Sequence, residues 1–104
     1  MIPFKTIRVG SYDVKVTPLT GEEAEKCLGI FHKTEMRMGF QDKYATKQLE
    51  AQIVLHEVCH AIYDVMDIHA KDGEERIVSQ MSQGLAQVIR DNPKLIHWLG
   101  KQLS

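Results

Sequence analysis

Cysteine is scarce in this chain. Of its 104 residues only Cys27 and Cys59 are cysteines. They stand far apart, so they make neither a disulfide framework nor a Cys-x-x-Cys metal knuckle. Free thiols and a cytoplasmic location are the expectation. Net charge is scarce too: 13 Lys and Arg against 14 Asp and Glu give a formal charge of −1. That leaves no electrostatic case for nucleic acid or for an anionic membrane surface. Long apolar runs are lacking. Met1-Ile2-Pro3-Phe4-Lys5 opens none of signal-peptide length, and no stretch approaches a membrane span. There are no internal repeats and no low-complexity tract. What remains is an ordinary balance, 43% apolar and 26% charged. Its length fits one domain, 1–104, with a real but small core.

The first 40 residues read mostly as extended. Ile7 to Val9, a turn at Gly10-Ser11, then Tyr12, Val14 and Val16 alternating with polar residues predict a hairpin. Thr20 with Glu23 three residues on predicts a capping box opening a short helix that ends near Leu28-Gly29. Ile30 to Phe40 reads as one or two strands, with Met36, Met38 and Phe40 alternating. The second half is helical. From about Tyr44 to Ile68 there is no Gly or Pro, and Leu49, Ile53, Val54, Val58, Ala61, Ile62 and Val65 recur at helical spacing. His69 to Gly73 is a polar break. A further helix runs from about Glu74 to Asp91, and Asn92-Pro93 ends it and opens a last one. The expected class is α+β.

The segment His56-Glu57-Val58-Cys59-His60 is HExxH. Two histidines four residues apart lie one turn apart on one helix face, and their imidazoles can reach one tetrahedral ion. Glu57 falls on the adjoining flank, where it can reach water at the ion without being a ligand. An ion there acidifies water and polarises a carbonyl. Three fixed positions recur by chance in many proteins, but here they sit centrally in an apolar helix. Burying such groups is costly unless something satisfies them. The alternative is two partly exposed histidines with Glu57 in a surface ion pair.

A catalytic zinc needs a third protein ligand and an open fourth position. A third histidine six residues after the second is absent, since Met66 stands there and Tyr63 takes the preceding glycine position. His69, in the polar break, is a weak candidate. Glu74 and Glu75 are better, because a helix packed antiparallel to the motif helix can aim a carboxylate at the ion. Spacing does not separate the two, and acidic residues favour a first helical turn in any case.

Other residues carry less. Tyr63 can donate to an oxyanion, although such a tyrosine is more often core. Cys59 reads as a buried, inert thiol. Asp64 and Asp67 can orient a histidine, with solvated helix-face charges as the simpler reading. His32 and His97 are isolated. Trp98, with Leu95 and Leu99, docks a last helix on the core or forms a partner surface.

His56-Glu57-Val58-Cys59-His60, a short connection and then Glu75-Arg76-Ile77-Val78-Ser79 resemble the ImmA/IrrE-type and related minimal zinc peptidases. These are gluzincin-like, with HExxH on one helix and a glutamate ligand on the next. The segment from Glu74 through Gly84-Leu85 to Asn92-Pro93 also resembles small phage and prophage proteins that share this HExxH. The likeness spans roughly residues 30–95. It implies a zincin-like fold: a small antiparallel sheet packed on an active-site helix and a second, ligand-bearing helix. It implies that the strand around Thr34 to Phe40 is the edge that pairs with an extended substrate. It implies Zn2+ held by His56, His60 and Glu75, with Glu74 in reserve, and Glu57 as the base. Val78 and Ser79 depart from the usual Ala-Asn/Asp pair that follows the ligand glutamate.

The expected function is therefore a zinc metallopeptidase acting on a protein or peptide. A non-catalytic zinc-binding protein that works through a partner is the alternative. A DNA-binding regulator comes third, since Lys94, His97 and Lys101 make no strong basic stripe.

Overall fold

The computed structural model describes residues 2–104. The hairpin forms as the alternation predicts, with β1 (Thr6–Val9) antiparallel to β2 (Tyr12–Pro18). Ile7, Val9 and Val14 turn inward and are essentially inaccessible. A short α1 (Gly21–Lys26) follows. Thr20 stands at its N-cap but makes no side-chain cap bond, so the expected capping box does not form. Glu23 is drawn away to His32 and Arg37 instead.

The stretch after α1 is two strands, β3 (Gly29–His32) and β4 (Arg37–Phe40). The four strands lie in the order β1-β2-β4-β3. Here two expectations are corrected. The sheet is mixed, because β2 and β4 run parallel while the other two pairings are antiparallel. The chain leaves β2, passes through α1 and β3, and returns as β4 between them. The strand ending at Phe40 is therefore interior, and the edge strand on that side is β3.

Three helices complete the α+β domain: α2 (Lys47–Val65), α3 (Glu74–Asp91) and α4 (Pro93–Leu103). Thr46 caps α2 by accepting from the Leu49 N–H at 3.0 Å. One face of α2, with Ala51, Val54, Val58, Ala61 and Ile62, packs into a core shared with Met38 and Phe40 of the sheet and Leu95 and Leu99 of α4. Each buried Val, Ile, Leu, Met or Phe among them contributes about 1.5–3 kcal/mol through burial. Trp98 meets Phe4 edge-on at 5.5 Å, which docks α4 on the sheet side. Gly84 lets α3 approach α2, since a Cβ there would collide with Ile62. Among the described residues no helix is long and apolar enough to cross a membrane.

Candidate active site

The motif lies midway along α2, but its histidines are not in the core. The buried face of the helix carries Val54, Val58 and Ala61, whereas His56, Cys59, His60 and Tyr63 are exposed on the other side. Cys59 is thus an open thiol, not the buried one expected. Of the three motif residues only Glu57 is buried, at 6% exposure.

The imidazoles converge as their spacing requires. Nε2 of His56 and Nε2 of His60 stand 3.1 Å apart, and the rings meet edge-on at 4.8 Å. Neither ring is tied to a carboxylate among the described residues. Two imidazole nitrogens this close together on an exposed helix face are a donor pair that fits a zinc ion. Glu57 lies on the flank toward the sheet. Burial pushes its carboxyl above the ordinary carboxylate range, and the neighbouring His56 and His60 pull the other way. A raised carboxyl is what a general base working near neutrality needs.

β3 comes close enough to bury this glutamate because position 29 is glycine. A Cβ on Gly29 would lie 2.7 Å from the Ile53 methyl and 3.3 Å from Glu57 Oε2. Between β3 and α2 runs a cleft of about 560 Å³. Gly29, Ile30, Phe31 and Lys33 form one wall; His56, Glu57, His60, Tyr63 and Asp64 form the other. Asp67, Ile68 and His69 close its far end. A smaller hollow with Gln52 and Leu28 continues it past Gly29, His56 and Glu57. The motif therefore sits in the course of a groove that follows the open edge of β3.

The other expected residues separate. Tyr63 lines the cleft, as an oxyanion donor would. Asp64 binds no histidine; its carboxylate meets Lys33 Nζ at 3.1 Å across the cleft. Asp67 does meet one, His69, at 3.1 Å. Glu74 and Glu75 are exposed in the first turn of α3, and neither lines the cleft. Among the described residues no three His, Cys, Asp or Glu side chains converge as a metal-ligand group. Lys33 and the wall of β3 were missed by sequence reasoning. Their signal is only positional, because a strand's neighbours are set by distant pairing. No family model, no curated protein and no solved structure matches this chain.

Proposed function

We propose that the chain is a zinc-dependent metallopeptidase that cleaves a protein or peptide bound in the cleft. One observation carries the reading: two imidazole nitrogens 3.1 Å apart, beside a buried carboxylate, in a groove along an open strand edge. His56 and His60 would hold the ion, and the resemblance supplies Glu75 as their third partner. A zinc ion bound there contributes a Lewis acid that polarises a carbonyl and acidifies water.

The chain's own residues do the rest. β3 has backbone groups to spare on its outer side, so an extended peptide can add to it as a further strand. That fixes the scissile bond beside His56 and Glu57 and excludes bulk water from one side. Glu57 takes a proton from the attacking water and returns it to the leaving amine. Its apolar surroundings, Ile53 and the Gly29 backbone, hold its proton affinity up for that exchange. Tyr63 stands on the same wall as a hydrogen-bond donor to the developing oxyanion.

Glu57→Gln keeps the shape and removes the base. Turnover of a peptide substrate should fall by about a hundred- to ten-thousandfold with zinc content unchanged. Full activity in that variant rejects the mechanism. A second reading is a non-catalytic zinc protein that acts through a partner. It is favoured by the exposed apolar residues Val78, Leu85 and Ile89 along α3. On that reading removal of zinc unfolds the chain, and Glu57→Gln changes nothing.

A further inference from the structure

We infer that Asp64 is a specificity-determining residue of the cleft, where it accepts a lysine or arginine side chain of the bound peptide in place of Lys33. This rests on the peptide-binding cleft proposed above, and it adds the chemical class of the substrate.

β3 and α2 run side by side in the same sense. Gly29 stands against Glu57 at one end, and Lys33 stands against Asp64 at the other. Lys33 Nζ meets Asp64 Oδ1 at 3.1 Å, and the two residues belong to opposite walls of the cleft. Their contact is a bar across the groove. A peptide strand that adds along β3 has to pass that bar, so binding opens the pair.

The two partners are held unequally. The Asp64 side chain is 23% exposed and that of Lys33 is 74% exposed. Asp64 stands on a helix whose end is fixed. Ile68 N–H donates to the Tyr63 carbonyl at 3.0 Å, Asp67 takes the left-handed conformation with φ 53°, and Ile68 is buried in the core. Lys33 opens the turn between β3 and β4, and its ammonium swings on a flexible stem. Released from Asp64, that ammonium passes into water at little cost, as exposed pairs do. The carboxylate stays on its wall and is covered by the peptide. A covered charge without a partner is costly. A cation on the peptide removes that cost, whereas a neutral or acidic side chain does not.

Nothing else in the cleft takes the place of Lys33. It is the only lysine or arginine among the described lining residues, and it faces Glu57, Asp64 and Asp67. Asp64 has no other ion-pair partner among the described residues. The register follows from the helix. Asp64 is seven positions past Glu57 in α2, a rise of about 10 Å. That is about three residues of extended peptide. The basic side chain therefore stands about three residues from the bond beside Glu57.

Fluorescence anisotropy of the full chain with fluorescein-labelled Ala/Ser decapeptides tests this. Each peptide carries a single Arg, Gln or Glu, moved along its length. The parent should bind the best-placed Arg peptide about tenfold more tightly than its Gln or Glu counterpart. Asp64→Asn should bind all three alike. Lys33→Gln, which frees Asp64, should bind the Arg peptide more tightly than the parent does, which a merely structural clasp would not produce. The double variant Lys33→Glu, Asp64→Lys should prefer the Glu peptide. Equal binding of the three peptides by the parent, or binding of none, overturns the inference. So does weaker binding of the Arg peptide by Lys33→Gln. Cleavage of β-casein with zinc supplied, and its loss in Glu57→Gln, is followed separately. Casein cleavage without an Arg preference removes this inference and leaves the metallopeptidase reading standing. An Arg preference without zinc-dependent cleavage upholds the inference and removes the peptidase.

Discussion

At one side of the sheet, Arg8 in β1 gives both of its backbone groups to Asn92. Its N–H donates to Asn92 Oδ1 at 2.8 Å and its carbonyl accepts from Asn92 Nδ2 at 2.8 Å. Gln87 repeats the device, accepting from the Gly10 N–H and donating to the Arg8 carbonyl at 3.1 Å. At the other side β3 has no such cover, and among the described residues no side-chain amide reaches its outer edge. An open edge invites pairing with another chain, which proteins normally prevent. Here one edge is sealed by neutral amides from α3 and its junction with α4, while the edge beside the HExxH motif is left available. The difference suits a molecule that must admit a strand at one place only.

The seal should be the more costly to break. Asn92→Ala removes three hydrogen bonds at once, since Nδ2 also donates to the Val88 carbonyl at 2.9 Å. The Arg8 N–H is left without its partner, which costs about 1–3 kcal/mol, while the Arg8 carbonyl keeps its bond from Gln87. Urea unfolding should show a loss of about 2–4 kcal/mol in all. On the proposed zinc reading, zinc affinity should not change, because His56 and His60 lie at the opposite side of the sheet. A loss confined below about 0.5 kcal/mol would mean that water replaces the amide and that the two edges do not differ as argued.

Gly29→Ala probes the open side. The added methyl meets Ile53 at 2.7 Å and crowds Glu57 Oε2. Overpacking of this kind costs about 1–3 kcal/mol. On the proposed metallopeptidase reading, the accompanying shift of Glu57 should lower kcat without loss of zinc. An Ala variant with parental kcat and stability would show that β3 does not set the position of Glu57.

How much of this could be read from the chain depends on how local each feature is. The HExxH pair is set by helix periodicity alone, and the imidazoles meet as four-residue spacing demands. The bounds of α3 and the start of α4 follow from Asn92-Pro93 and from apolar spacing within the segment. The parallel pairing of β2 with β4 is not local. It brings Thr17 beside Gly39 across 22 positions, and no turn signal announces it. The identity of the edge strand depends on that pairing and was misread for the same reason. The exposure of His56 and His60 depends on which helix face the sheet leaves uncovered. Glu75 rests on the resemblance and on first-turn placement, and it stands exposed at the start of α3, outside the lining of the cleft. Asp67 hid the turn that carries His69, because left-handed residues are expected to be glycine.

The attachment of β3 differs from that of β1 in a further way, which gives the smallest effect and a pH signature. β1 is held by amides that do not titrate. β3 and β4 are tied to α1 through the Glu23 carboxylate: His32 Nε2 lies 2.5 Å from Glu23 Oε2, and the Arg37 guanidinium reaches both Glu23 oxygens at 3.2 and 3.3 Å. His32 and then Arg37 hold the Glu23 carboxyl below its ordinary range. A carboxyl depressed on folding adds stability above its unfolded pKa, and that stability is lost as pH falls through the folded pKa. Glu23→Gln should therefore lower Tm slightly near neutrality, and the gap should close on acidification below the ordinary carboxylate range. High salt should narrow the gap as well, because these side chains are only partly shielded. The Asn92→Ala deficit should show no comparable dependence on pH. If the two deficits vary with pH alike, the distinction between an amide-sealed edge and a charge-tethered one fails.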